Sequence, residues 1–89
     1  MIQFDPIRFG YSKTEDPWIF TAKDEKIPNA TIMIEKTTVG TFIISRNFVE
    51  DEFPFKEILF HGEINSTYFA ACLLDNIGAS AMNYKHIRN

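Results

Sequence analysis

The stretch from Thr31 to Ser45 reads T-I-M-I-E-K-T-T-V-G-T-F-I-I-S and carries the strongest β signal in the chain. β-branched residues dominate both of its halves, and such side chains pack well on a pleated surface. Gly40 can supply the positive φ that a short hairpin loop with a bulge requires. We therefore predict two strands, at about residues 31–36 and 40–46, joined by a short loop. One long strand is the alternative; the hairpin is favoured because it pairs the two apolar runs with each other.

Two further strands are predicted on the N-terminal side of this hairpin. Trp18–Ala22 is a short, mostly apolar run that follows a polar, turn-like stretch at residues 10–17. Nearer the start of the chain, Met1–Phe9 has apolar residues at close to alternating spacing, interrupted by Asp5 and Pro6. Because proline donates no ladder hydrogen bond, we expect this segment to be an edge strand or a strand with a bulge.

The segment from Phe53 to Phe60 predicts another strand, which His61 and Gly62 end. Apolar residues occupy both of its alternating sets of positions, as they do in strands that are covered on both faces. We therefore expect this strand to be covered on both sides over part of its length. On the same ground we assign its phenylalanines from Phe55 onward to the core.

The hydrophobic period changes in the next part of the chain. Asn65–Thr67 offers hydrogen-bonding side chains suited to cap the N-terminus of a helix. An apolar stripe with helical spacing follows, formed by Phe69, Ala70, Leu73, Leu74 and Ile77. This pattern predicts an amphipathic helix of about three turns. Gly78 stands where a left-handed residue would end it.

A last short strand is predicted at Ala81–Ile87. At 89 residues the chain fits a single globular domain, residues 1–89. We therefore predict an α+β fold with a mostly antiparallel sheet of about five or six short strands. One amphipathic helix near the C-terminus packs on one face of this sheet. The sheet cannot be purely parallel, because only one connection holds a crossover helix.

Residues 47–60 read N-F-V-E-D-E-F-P-F-K-E-I-L-F and place four phenylalanines around the acidic triplet Glu50, Asp51 and Glu52. Residues 48–75 hold six acidic residues and one basic residue, a net charge of −5, in a chain whose total is −3. A negative segment attracts basic partners. We therefore predict that the triplet steers and pairs with a basic protein partner and that Phe53 anchors it. The alternative is a solvated connection between two strands.

Composition argues against several other kinds of partner. A nucleic-acid binder normally presents a basic face, and none is indicated here, so we expect no direct nucleic-acid binding. No apolar run approaches the ~18 residues of a membrane span, and no basic region followed by an apolar stretch opens the chain. We therefore expect a cytoplasmic protein without membrane contact. A single cysteine leaves no internal disulfide.

Catalytic and cofactor motifs are missing from the sequence. The four glycines are isolated, so no phosphate-binding loop can be drawn, and the two histidines lack metal-ligand spacing. We expect no enzyme activity, no cofactor and no metal. The alternative is a small enzyme or ligand-binding domain that uses Cys72, His61 and Asp75. Against it, reactive thiols need an electropositive and partly exposed setting, whereas Cys72 lies among apolar residues.

The leading hypothesis is therefore a small acidic cytosolic protein-binding domain. Inhibitors, immunity proteins, antitoxins and phage proteins that modulate a host fit this description, and each would act by occluding a basic surface of its partner. A structural homo-oligomeric module is the main alternative. In it, an edge strand at Met1–Phe9 or Ala81–Ile87 pairs with its copy to form a homodimer.

Overall fold

The structure is a computed structural model that describes residues 4–48 and 55–77. In these residues five strands form one antiparallel sheet, and one α-helix follows it. The strands are β1 (Ser12–Lys13), β2 (Ile19–Lys23), β3 (Ala30–Lys36), β4 (Phe42–Phe48) and β5 (Phe55–Gly62), and the helix is α1 (Thr67–Ile77). Each strand pairs with its neighbour in the chain, so the sheet is a meander. The predicted α+β class, with an antiparallel sheet and one helix, is confirmed.

The hairpin of β3 and β4 forms as the sequence predicts. Ile34 pairs with Ile44 near its centre. Gly40 has a φ of 88° in the connecting loop, a conformation that residues with a Cβ rarely adopt. The hydroxyl oxygens of Thr37 and Thr41 lie 2.7 Å apart across the base of the loop and close it.

The described residues 4–9 do not form the edge strand predicted for Met1–Phe9, and Met1–Gln3 lie outside the described residues. Pro6–Phe9 is a 3-10 helix. The Asp5 carboxylate accepts a hydrogen bond from the backbone N–H of Ile7 at 3.1 Å, and proline with its fixed φ suits the first helical position. The Asp5-Pro6 pair therefore starts a helical turn. The two-residue strand β1 then forms within the stretch predicted to be a turn.

One face of the sheet carries the hydrophobic core. Its buried members on β3 and β4 are Ile32, Ile34, Phe42 and Ile44. The helix α1 packs on this face with its buried residues Ala70, Ala71 and Leu74. The 3-10 helix joins the same core, because the ring of Phe4 meets the ring of Phe42 edge-on at 5.1 Å. Phe4–Phe9 therefore packs inward and is not an edge available to a second copy.

The buried side of α1 is rotated relative to the predicted stripe. Phe69 is 42% exposed, and its ring lies 5.9 Å from the ring of Phe60 on β5. The helix starts as predicted, since the Ser66 hydroxyl accepts a hydrogen bond from Phe69 N at 3.0 Å. No helix in residues 4–48 or 55–77 has the length and apolarity needed to cross a membrane. Gly78 and the predicted strand Ala81–Ile87 lie outside the described residues.

β5 contains a β-bulge that changes which of its residues face the core. Ser45 pairs with Ile58. The preceding residue, Ile44, pairs with Phe60, which leaves Leu59 as the extra residue. Odd-numbered residues share the core face before the bulge, and even-numbered residues do so after it. This change of phase, rather than cover on both sides, is why apolar residues occupy both sets of positions. The expected two-sided cover is wrong, because Ile58 is 55% exposed.

Candidate functional site

The end of the sheet where β4 finishes and β5 begins holds the predicted site. The predicted partner-binding residues Glu50, Asp51, Glu52 and Phe53 connect these two strands and lie outside the described residues. Phe48 and Phe55 are the last registered pair of the two strands. The acidic connection therefore leaves and rejoins the described sheet at this pair, beside its outer strand.

Phe55 is more exposed than the sequence predicts. Its ring lies 5.5 Å from the ring of Phe48, tilted by 46°, yet 57% of the residue remains exposed. β5 is the outermost strand of the described sheet, so its residues have strand neighbours on one side only. The assignment of Phe55 to the core is therefore wrong, whereas Phe60 packs against the core as assigned. Exposed aromatic residues are frequent anchors of protein interfaces.

Ile58 is a second exposed apolar residue of β5, and it lies on the other face of the sheet. The register places Phe55 and Glu57 on the core face and Lys56 and Ile58 on the opposite face. Within residues 4–48 and 55–77, no strand pairs with the outer edge of β5. An edge of this kind presents backbone N–H and C=O groups to its surroundings. Sequence reasoning missed Ile58, and the signal that could have found it is the break in alternation at residues 58–60.

Arg46 connects this edge with the helix and with the β2–β3 loop. Its Nε donates to the carboxylate of Asp24 in a close ion pair. Its other nitrogens reach Glu57 Oε1 at 3.5 Å and the carbonyl oxygen of Ile77 at 3.0 Å. The last contact satisfies one of the carbonyls that a helix leaves unpaired at its C-terminus. One guanidinium thus holds three segments of the chain together.

The Asp24 carboxylate is fully buried. Burial raises the pKa of this carboxyl, but the hydrogen bonds that it accepts from Arg46 and from two backbone N–H groups outweigh burial. Those amides belong to Lys26, at 2.8 Å, and Ile27, at 3.2 Å. The pKa of Asp24 consequently lies below its ordinary value of 3.8. The carboxylate is charged at neutral pH and forms its ion pair with Arg46.

A shallow groove of about 410 Å³ lies beside this ion pair. Its lining residues are Lys26, Ile27, Arg46, Leu59, Leu73, Asn76 and Ile77. Lys26 Nζ donates to the carbonyl oxygen of Asn76 at 2.7 Å. Lys26 and Arg46 therefore both donate hydrogen bonds to carbonyl oxygens at the end of α1. We assign the groove to the packing of the helix on the sheet.

Lys56 forms an ion pair on the opposite face of the sheet. Its Nζ lies 3.0 Å from Glu35 Oε1 and reaches across β4, where Ser45 is fully buried between them. Lys56 is the only basic residue between positions 48 and 75. Glu35 neutralises the charge of Lys56. The acidic residues of positions 48–75 therefore have no free basic residue within the same segment to balance them.

The residues of the alternative catalytic hypothesis lie on different sides of the sheet. His61 pairs with Ile43, which places it on the face opposite the core. The helix that carries Cys72 and Asp75 packs on the core face, and Cys72 is half-buried there. In the part of the chain that the structure describes, no three His, Cys, Asp or Glu side chains are placed to hold a metal ion.

No protein-family model, curated protein or solved structure matches the chain significantly.

Proposed function

We propose that this chain is a small acidic protein-binding domain that acts in the cytoplasm by occluding a basic surface of its partner. Inhibitors, immunity proteins, antitoxins and phage proteins that modulate a host are the classes with this mode of action. The binding surface is the end of the β4–β5 hairpin. It consists of Glu50, Asp51, Glu52 and Phe53 together with the exposed Phe55 at the start of β5.

The observation that carries the proposal is the exposure of Phe55 beside the acidic connection. A large apolar side chain that stays more than half exposed is surface that a partner can bury. The acidic residues at positions 50–52 begin two residues after Phe48, which the Phe55 ring contacts. The apolar anchor and the steering charge are therefore close in sequence, and this combination gives an interface both affinity and a fast on-rate.

The exposed area of Phe55 can supply only a small part of the binding free energy of a complex. Burying the exposed half of one phenylalanine side chain contributes about 1 kcal/mol. A micromolar complex needs about 8 kcal/mol. Phe55 and a neighbour such as Ile58 therefore supply only part of the affinity. The acidic triplet and Phe53 supply the remainder in this proposal, with the charges acting mainly on the association rate.

Charge reversal at the triplet tests the proposal. Wild-type protein and the variant E50K/D51K/E52K are immobilised, partners are captured from the source cells, and association with each captured protein is then measured over a range of salt concentrations. We expect the variant to associate about tenfold more slowly and with a weaker salt dependence, because the steering charge is inverted.

The matched control is E15K/E25K/D75K, which makes the same change in net charge at three exposed carboxylates elsewhere. We expect the association rate of this control to stay within about threefold of the wild type, since steering acts locally. An unchanged on-rate for the triplet variant, or an equal loss in both variants, contradicts the proposed surface.

A further inference from the structure

The outer edge of β5 has the features of a strand-binding site. In the described residues it is the long free edge of the sheet, since the other edge strand, β1, has only two residues. Phe55 is exposed on one face of this edge and Ile58 on the other. A strand added here would gain backbone hydrogen bonds and would cover an apolar side chain on each face.

Charge disfavours the registers in which a second copy of the same chain would pair with this edge about Lys56 or Glu57. Two β5 strands related by a two-fold axis pair antiparallel, so the residue at the axis faces itself. With the axis at Lys56 two ammonium groups meet, and with the axis at Glu57 two carboxylates meet. Like charges directly opposite are destabilising. Beyond these positions the bulge at Leu59 interrupts regular pairing.

The same charges favour a basic strand. Lys56 is already paired with Glu35. Glu57 contacts Arg46 only at 3.5 Å, and about half of its side chain is exposed, so its carboxylate can accept hydrogen bonds from an incoming lysine or arginine. The acidic residues 50–52 precede this position, and the exposed Glu63 follows it. Glu57 is therefore the acidic side chain of β5 that a basic strand would meet.

We propose that the outer edge of β5 binds an extended basic segment of the partner, which adds to the described sheet as a further β-paired strand. This inference rests on the proposed function and specifies its partner chemistry: an extended segment with lysine or arginine at alternate positions and apolar residues between them. Pairing with β5 fixes the register of the segment. Its cations lie on the face of Phe55 and Glu57, where Glu57 pairs with one of them, and its apolar residues lie on the other face, where they contact Ile58.

The test uses the full chain and a synthetic eight-residue peptide of alternating lysine and valine. The first comparison peptide alternates glutamate and valine, and the second is the lysine peptide with a central valine replaced by proline, which removes a ladder donor. Amide hydrogen exchange is followed by NMR at millimolar peptide. We expect the lysine peptide to slow exchange between Phe55 and Ile58 about tenfold, and the other two to leave it unchanged.

Variants of the protein locate the contact. Glu57→Lys is expected to weaken binding of the lysine peptide about tenfold, whereas Glu25→Lys, the same change at another exposed glutamate, is expected to alter it less than about twofold. Equal binding of the lysine and proline peptides overturns the proposal, because charge alone then explains the affinity. Equal effects of the two variants also overturn it.

Two further outcomes separate the edge from the acidic connection. If the amides of Phe55–Ile58 already exchange slowly in the free full chain at every dilution, residues of the chain itself cover the edge and strand addition is wrong. If that protection disappears on dilution, a second copy covers it, and the proposal is wrong again. If the peptides fail but the triplet variant still slows association with a captured partner, the protein-binding function stands without strand addition.

Discussion

Arg46 is a charged residue on the core side of the sheet. It pairs with Ile32 in the register of β3 and β4 and lies between two apolar residues of the same face, Ile44 and Phe48. Its ion pair with the buried Asp24 differs from the exposed pair of Lys56 and Glu35. Breaking a buried pair leaves an uncompensated charge and costs several kcal/mol, whereas an exposed pair is worth about 1 kcal/mol or less.

The first prediction at this scale concerns Asp24→Asn. We expect the substitution to lower the free energy of unfolding by about 1–3 kcal/mol at neutral pH, because a charged hydrogen-bond acceptor is lost. The pKa of Asp24 is depressed in the folded state, so its stabilisation is fully present above the ordinary value of 3.8 and is lost as the pH falls through the lower folded value. Urea denaturation at neutral and acidic pH should show the difference between wild type and variant shrinking below pH 3.8.

The neighbouring carboxylate provides the control. Glu25 is exposed, and Glu25→Gln should change the free energy of unfolding by no more than about 0.5 kcal/mol at any of these pH values. A difference between wild type and Asp24→Asn that stays constant across the pH range contradicts the assigned role of the carboxylate.

The ion pair could not be predicted from the sequence. Asp24 stands in a charged turn and Arg46 in a strand, and no local pattern links them. The one available sign is the alternation of β4, where Arg46 shares the parity of Phe42 and Ile44 and therefore points toward the core. Predicting its partner requires the register of β2, β3 and β4, which is set by long-range packing.

At the scale of elements, the segments with strong local signals were predictable. Thr31–Ser45 forms a hairpin because β-branched runs and a glycine with positive φ agree. The helix begins at its predicted cap, because the Ser66 hydroxyl accepts a hydrogen bond from Phe69 N. The first segment was mispredicted, because Asp5 caps a helical turn where its proline indicated an edge strand. The burial of β5 was mispredicted because of one extra residue, Leu59. Odd-numbered residues face the core before it, and even-numbered residues face the core after it.

The prediction for the helix is that Ser66→Ala lowers the free energy of unfolding by about 1 kcal/mol. The Ser66 hydroxyl accepts the hydrogen bond of Phe69 N at 3.0 Å, and alanine leaves that backbone donor without its partner. Chemical denaturation measures the change. Ser66→Asp restores an acceptor and places negative charge at the helix N-terminus, so it should match or exceed the wild type.

Asn65→Ala is the matched control for this prediction. Asn65 is the exposed neighbour of Ser66, and its amide contacts only Glu63 among the described residues, at 3.5 Å. We expect its substitution to cost less than about 0.5 kcal/mol. Equal losses for Asn65→Ala and Ser66→Ala, with no rescue by aspartate, mean that the hydroxyl is not the cap.

At the scale of the whole molecule, the described residues are arranged asymmetrically about the sheet. The 3-10 helix and α1 both pack on the core face of the sheet. Negative charge is concentrated in residues 48–75, around the outer strand, while residues 1–47 carry equal numbers of acidic and basic residues. The fold class followed from the sequence. The predicted site residues Glu50, Asp51, Glu52 and Phe53 lie outside the described residues, and only the strand ends that flank them, Phe48 and Phe55, are described.

The prediction at this scale is that the chain sediments as a monomer of 10.3 kDa in analytical ultracentrifugation. The like charges of Lys56 and Glu57 oppose pairing of two β5 edges. The variant K56V/E57V removes both charges, and we expect it to associate at concentrations where the wild type remains monomeric. Wild-type mass that rises with concentration at physiological salt contradicts this expectation and favours the homo-oligomeric alternative.

The meander has a consequence for how the protein folds. Because every strand pairs with the next one along the chain, each pairing closes only a short loop and loses little chain entropy. Sheets built from such local contacts have low contact order and fold faster than sheets that join distant strands. The contacts of α1 with the sheet and of Phe4 with Phe42 are the long-range additions to this local pattern. The ribosome delivers the strands in the order in which they pair, so the sheet can assemble hairpin by hairpin before the helix closes over the core.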